Sequence, residues 1–140
     1  MDLKELDLIL KNEGELDPRE FSSLALAYIG DAVFEVFVRL TVMTNGNAPV
    51  NRLNKKARGM VNAKAQAEMY YRIRDALTEE EEGVFRRGRN AKSFTVPKNA
   101  DLMDYRHATG LEALFGYLYL RGEKERAVEL FRMGMAERTE

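Results

Sequence analysis

The run Leu26-Ala27-Tyr28-Ile29-Gly30-Asp31-Ala32-Val33-Phe34-Glu35 constrains the fold more than any other stretch of this chain. It reads as a helix, yet it is apolar on almost every side and carries a carboxylate in its middle. A helix that is apolar all round is expected to be buried. A buried Asp is costly unless a cation, a metal ion or hydrogen bonds compensate it, so Asp31 demands a partner. A second run, from Gly110 to Leu120, sets Glu112 in the same kind of surroundings. The expectation is that these two embedded carboxylates meet around a divalent cation.

Composition narrows the chemistry. At 140 residues the chain is expected to form one domain with a real core. It has no cysteine and a single histidine, His107, which excludes thiolate zinc sites, cysteine nucleophiles and a multi-histidine metal site. Any metal must then be held by oxygens, which favours Mg²⁺, with Mn²⁺ as a substitute. The charged start Met1-Asp2-Leu3-Lys4-Glu5 is unlike a signal peptide, and no apolar run approaches a membrane span. A cytoplasmic protein without membrane attachment is expected.

Net charge is −1, but the charges are segregated. Arg52, Lys55, Lys56, Arg58 and Lys64 fall in one acid-free window, and Arg86, Arg87, Arg89, Lys92 and Lys98 in another. Such windows suit a phosphate-backbone binder, although a basic helix face can also simply be solvated.

The pattern is helical nearly throughout. Asp17-Pro18-Arg19-Glu20 predicts a helix start, running to about Met43 and ended by Thr44-Asn45-Gly46-Asn47. Pro49 opens the next helix, Gly59 marks a break, and a helix over about 62–76 follows. Thr78-Glu79-Glu80-Glu81-Glu82 predicts another helix start, its acids favouring the positive end of the dipole while staying in water. Arg86 to Lys98 is expected to be a basic loop with one aromatic, Phe94, able to enter a groove of duplex RNA. Asp101 opens a long helix to about Leu120, Arg121-Gly122 breaks it, and a last helix covers about 124–137.

A metal-assisted phosphodiesterase needs acidic oxygens on rigid elements to hold Mg²⁺ against the scissile phosphate. Asp31 and Glu35, at i and i+4, share a helical face, and Asp104 and Glu112 lie near one face. The plainer roles are a Glu35–Arg39 ion pair and a cap or ion pair for Asp104. His107 stands five residues before Glu112, about 500° of helical turn, so a structural hydrogen bond is expected of it.

The Leu26–Glu35 run resembles the signature helix of ribonuclease III catalytic domains. Lys55-Lys56-Ala57-Arg58 to Val61-Asn62 looks like the helix-turn that follows there, and Ala108-Thr109-Gly110-Leu111-Glu112-Ala113-Leu114-Phe115-Gly116 resembles the second acidic motif. Tyr105 to Gly110 and Arg87 to Lys92 look like the Mini-III branch, which consists of the catalytic domain alone. The resemblance covers about residues 20–138 of a single catalytic domain spanning 1–140, too short to add a double-stranded-RNA-binding domain.

The resemblance implies an all-α helical bundle forming a two-fold homodimer. It implies an endonuclease that cuts double-stranded RNA with Mg²⁺, leaving 5′-phosphate and 3′-hydroxyl ends. Asp31 and Glu112 match the family's core metal-binding pair. The larger enzymes carry further acids where this chain has Ala27 and Thr109, so half the usual set is missing. Glu35, Asp104 or the Thr109 hydroxyl are candidates for an outer contact. Leu24, Tyr28, Phe34 and Phe37 are candidates for the dimer contact, since so apolar a helix can bury a second face against its twin. The implied substrate is a precursor of large-subunit (23S) ribosomal RNA, presented by a large-subunit ribosomal protein. The alternatives are a non-catalytic dimer that clamps duplex RNA in ribosome biogenesis, and an all-helical nucleotide pyrophosphohydrolase. The second needs a dense acidic cluster, and the only one here, Glu79–Glu82, reads as a helix start.

Overall fold

Capping side chains set most of the element boundaries. The computed structural model describes residues 16–92 and 101–135, and all regular structure among them is helical. Asp17 accepts from the Arg19 N–H at 2.9 Å, but the turn it opens is a three-residue 3₁₀ helix, Pro18–Glu20. The expected unbroken helix to Met43 is interrupted because Phe21 and Ser22 are extended. Ser22 then caps α1 (Ser23–Met43), accepting from the Ala25 N–H at 3.1 Å, which satisfies one of the orphan donors of a helix start.

The next break falls at Asn62, not at Gly59, which lies inside α2 (Val50–Val61). The Asn62 side chain donates to the Arg58 carbonyl at 3.1 Å and accepts from the Ala65 N–H at 2.9 Å. One residue thus ends α2 and starts α3 (Ala63–Ile73). A 3₁₀ turn, Arg74–Ala76, leads to α4 (Glu79–Asn90), which opens with a reciprocal Thr78–Glu81 capping box. Asp101 caps α5 (Leu102–Leu120) by accepting from the Met103 and Asp104 N–H groups. Gly122, at φ 80°, turns the chain into α6 (Lys124–Met135).

Helix α5 is the centre of the molecule. It is buried on nearly every side and packs against α1, α3, α4 and α6. Phe34 of α1 is fully buried between Phe115 of α5 and Phe131 of α6, edge-on to both rings at 5.6 and 5.5 Å. Phe34 therefore belongs to the chain's own core and offers no surface to a second copy, which corrects its placement at a dimer contact. Phe37 is half-buried in the same aromatic cluster, with its ring 5.4 Å from that of Phe131.

The glutamate run does more than favour a dipole in water. Glu81 is buried, and Arg126 of α6 grips both its oxygens at 2.8 and 2.9 Å. The Arg126 hydrogen bonds hold the Glu81 carboxyl below its ordinary value. Glu82 accepts from the Tyr70 hydroxyl at 2.9 Å, and Glu80 accepts from the Tyr117 hydroxyl and from Arg121. The start of α4 is thereby tied to α3, α5 and α6.

Helix α1 is not buried all round. Leu26, Ala27, Gly30, Val33, Phe34, Val38 and Val42 face inward. On the other side Tyr28, Ala32, Val36, Leu40 and Met43 are exposed, Tyr28 by 84%. Tyr28, Ala32, Val36 and Leu40 follow the i+4 spacing of a single ridge and Met43 lies three residues beyond, so an apolar stripe of α1 is left open to water.

Candidate active site

Asp31 and Glu112 meet because two helices cross with their backbones in contact. A Cβ on Gly30 would lie 1.7 Å from the Glu112 carbonyl oxygen and 2.8 Å from the Gly116 nitrogen. A Cβ on Gly116 would lie 2.0 Å from the Leu26 carbonyl oxygen. Only glycines at these two positions allow α1 and α5 to approach so closely. Asp31 follows Gly30 directly, so its side chain emerges at the edge of the crossing, where it comes within hydrogen-bonding reach of the Glu112 carboxyl.

The two carboxylates differ in setting. Asp31 is exposed, contrary to the expectation of a buried aspartate, because it sits where the inward face of α1 gives way to the open one. Glu112 is half-buried, and burial pushes its carboxyl up to about 8. The adjacent Asp31 adds to that rise, and a hydrogen bond from Gln66 opposes it. A like charge beside a desolvated carboxylate disfavours the ionised form. Burial and the neighbouring charge therefore favour the protonated form of Glu112 where no cation is bound.

Gln66 stands third at this site, on α3. It is 3% exposed and was not among the residues the sequence pointed to. A signal was available, since Gln66, Met69, Tyr70 and Ile73 are spaced i, i+3, i+4 and i+7. That spacing puts an amide on the core stripe of its helix.

The other acids are elsewhere. Glu35 pairs with Arg39 at 3.1 Å, as the plainer reading anticipates. Asp104 lies two turns before Glu112, about 12 Å along the helix axis. The Thr109 hydroxyl donates to the Tyr105 carbonyl at 3.0 Å, and Ala27 is buried. His107 makes the expected structural hydrogen bond, between Nδ1 and the Met103 carbonyl at 2.7 Å. Among the described residues no three or more Asp, Glu, His or Cys side chains gather into a metal-binding cluster.

The donors at the crossing are nonetheless all oxygens apart from the amide nitrogen of Gln66. Two neighbouring carboxylates that cannot comfortably ionise together suit a hard divalent cation, whose charge favours the ionised form of both. Asp31 and Glu112 are the residues that would hold it.

The basic residues are placed as follows. Arg52, Lys55, Lys56 and Arg58 are exposed on α2, and Lys64 is exposed in the first turn of α3. Arg86, Arg87 and Arg89 lie in the last turns of α4 rather than in a loop, and Lys92 is exposed just beyond it. The helix continues through Gly88 because this glycine is a packing contact. A Cβ there would lie 2.8 Å from the Ala113 Cβ. Arg86 and Arg87 share a groove with Ser22 and Leu24 at the start of α1. Phe94 and Lys98 lie outside the described residues.

The Ribonuclease III domain model matches residues 24–123, a span that holds Asp31, Gln66 and Glu112 together. The chain belongs to the ribonuclease III family. It is 48% identical over 127 residues to the Mini-ribonuclease 3 of Thermoanaerobacter sp. (strain X514), covering 91% of this chain and 87% of that relative. It is 46% identical over 126 residues to the Mini-ribonuclease 3 of Brevibacillus brevis, covering 90% and 94%. A crystal structure of a Fusobacterium nucleatum protein shares the fold at a TM-score of 0.77 and 34% identity, covering 87% of this chain and 98% of that one. These relatives place it in the Mini-III branch of the ribonuclease III family, and it is an endoribonuclease. No helix among the described residues is long and apolar enough to cross a membrane.

Proposed function

We propose that this endoribonuclease hydrolyses phosphodiester bonds of double-stranded RNA with Mg²⁺ held by Asp31 and Glu112, leaving 5′-phosphate and 3′-hydroxyl ends. The observation that carries the reading is the convergence of these two carboxylates at the glycine-lined crossing of α1 and α5. Mn²⁺ substitutes, since oxygen ligands suit both ions. The chemistry a bound cation supplies is a more acidic water and neutralisation of charge building up on the scissile phosphate. Asp31, exposed at the rim, faces the incoming backbone, while half-buried Glu112 sits behind it. Both side chains project from the two most tightly packed helices, so their geometry is set before substrate arrives.

The active form is a homodimer of single catalytic domains. The open apolar ridge of α1 supports this, since it is too continuous to face water without a partner. Leu24 and Tyr28, both exposed, stay within the proposed contact, and Phe37 lies at its margin. Two sites related by a two-fold axis would cut both strands of a duplex. The exposed basic residues of α2, the first turn of α3 and the end of α4 take the phosphates, together with Lys98. The substrate is a precursor of large-subunit (23S) ribosomal RNA in the cytoplasm, presented by a large-subunit ribosomal protein.

The experiment is incubation of purified protein with one RNA as a duplex and as separated strands, with Mg²⁺ or with chelator. Cutting confined to the duplex with Mg²⁺ is expected. Equal cutting of separated strands, or cutting in chelator, refutes the reading.

A further inference from the structure

Three polar or charged side chains are buried among the described residues: Gln66, Glu81 and His107. Two of them have structural partners. Glu81 is held by Arg126 and Thr78, and His107 bonds within its own helix. Gln66 differs because its partner is Glu112. It also breaks the pattern of its helix, occupying the core-stripe position above Met69, Tyr70 and Ile73 where an apolar residue would pack at lower cost. A local rule broken inside a core calls for a compensating role.

We propose that Gln66 is a positioning residue for the metal site. Its amide N–H holds the Glu112 carboxylate in the orientation in which, with Asp31, it takes a divalent cation. This rests on the reading that Asp31 and Glu112 are the metal ligands.

The site leaves little else to do this work. Ala27 has no polar group, and the Thr109 proton is donated to Tyr105. Without a donor the Glu112 carboxylate turns about its terminal bond, and a cation must pay the cost of fixing it. The residue type also fits. An acid at 66 would set a third carboxyl group beside exposed Asp31 and half-buried Glu112, and a leucine would offer no donor. An amide donates without adding charge. Hydrogen bonds that orient a ligating carboxylate are worth about 10–100-fold in metal affinity or activity.

The test uses the full chain as wild type, Gln66→Leu, Gln66→Asn and Asp31→Asn. Three quantities are read: Mn²⁺ affinity by calorimetry without RNA, melting temperature, and duplex cleavage across a Mg²⁺ series. Gln66→Leu is expected to melt close to wild type while binding Mn²⁺ about 10–100-fold more weakly. Its cleavage should fall at limiting Mg²⁺ and recover at high Mg²⁺, because the ligands are intact. A merely structural residue would lower the melting temperature and leave metal dependence alone. If Gln66→Leu does not fold, Gln66→Asn, which keeps the amide but withdraws it from reach, carries the same expectation. A folded variant with wild-type Mn²⁺ affinity and an unshifted Mg²⁺ series overturns the proposal by itself. Wild type and Asp31→Asn binding Mn²⁺ alike would instead overturn the underlying assignment of the ligands, and this proposal with it.

Discussion

Glu112 carries a cost that the metal-free protein cannot avoid. Its folded carboxyl is raised to about 8 from an ordinary 4.5, mainly by burial. Between those values the unfolded chain binds fewer protons than the folded one, so stability in chelator falls as pH rises from about 5 to 8. Glu112→Gln removes the titration. In chelator it should melt above wild type at pH 8 and level with it at pH 5, as calorimetric scans would reveal; a wild-type advantage at pH 8 would show the burial cost to be misplaced. The opposite sign holds for Glu81, whose carboxyl is lowered by Arg126, so its contribution is lost as pH falls through that lowered value. Asp31 and Glu112 were legible in the sequence because a carboxylate among Leu, Ile, Val and Phe is an anomaly that propensity does not explain. Gln66 was not, because a glutamine in a helix is ordinary until the stripe it interrupts is known to be core.

At the scale of elements, the site is a by-product of how closely two helices can approach. Gly30→Ala and Gly116→Ala each drive a methyl into a backbone carbonyl, which cannot rotate aside as a side chain would. Each should cost about 3 kcal/mol or more, the upper end of overpacking, and should abolish cleavage by parting Asp31 from Glu112. Denaturant melts alongside duplex cleavage would check this, and a stable, active Gly30→Ala would refute the crossing as the organiser. Arg126→Ala should likewise destabilise by about 3 kcal/mol, since it strands a buried Glu81 charge between α4 and α6, while leaving Asp31 and Glu112 in place. Helix identity was readable from capping residues such as Thr78 and Asp101, whereas the Asn62 cap was not read and the break was placed at Gly59 instead. The extent of α4 was not, because Gly88 has the composition of a helix breaker and the function of a contact with α5. Whether a glycine ends a helix or admits a neighbour is decided by tertiary packing, which no local pattern contains.

For the whole molecule, the same limit applies to α1. Its sequence is apolar on nearly all sides, so the face that turns inward could not be read from it, and Phe34 went to the core while Tyr28 stayed outside. The open ridge and the basic surfaces make two predictions for the assembly. Val36→Glu, which charges the ridge without touching the core, should convert a dimer to a folded monomer in sedimentation; a monomeric wild type would refute the dimer. Affinity for duplex RNA should fall steeply between low and physiological salt, because phosphate contacts release counterions, and Arg87→Ala with Arg89→Ala should flatten that dependence. The central claim is that the carboxylate pair at the helix crossing performs the cleavage. The most direct measurement is single-turnover cleavage of a long RNA duplex with Mg²⁺ by wild type, Asp31→Asn and Glu112→Gln, each first shown to be folded and to bind the duplex. Loss of at least about 100-fold in both variants, with duplex affinity retained, is the predicted result. Cleavage by either folded variant at the wild-type rate would contradict the account.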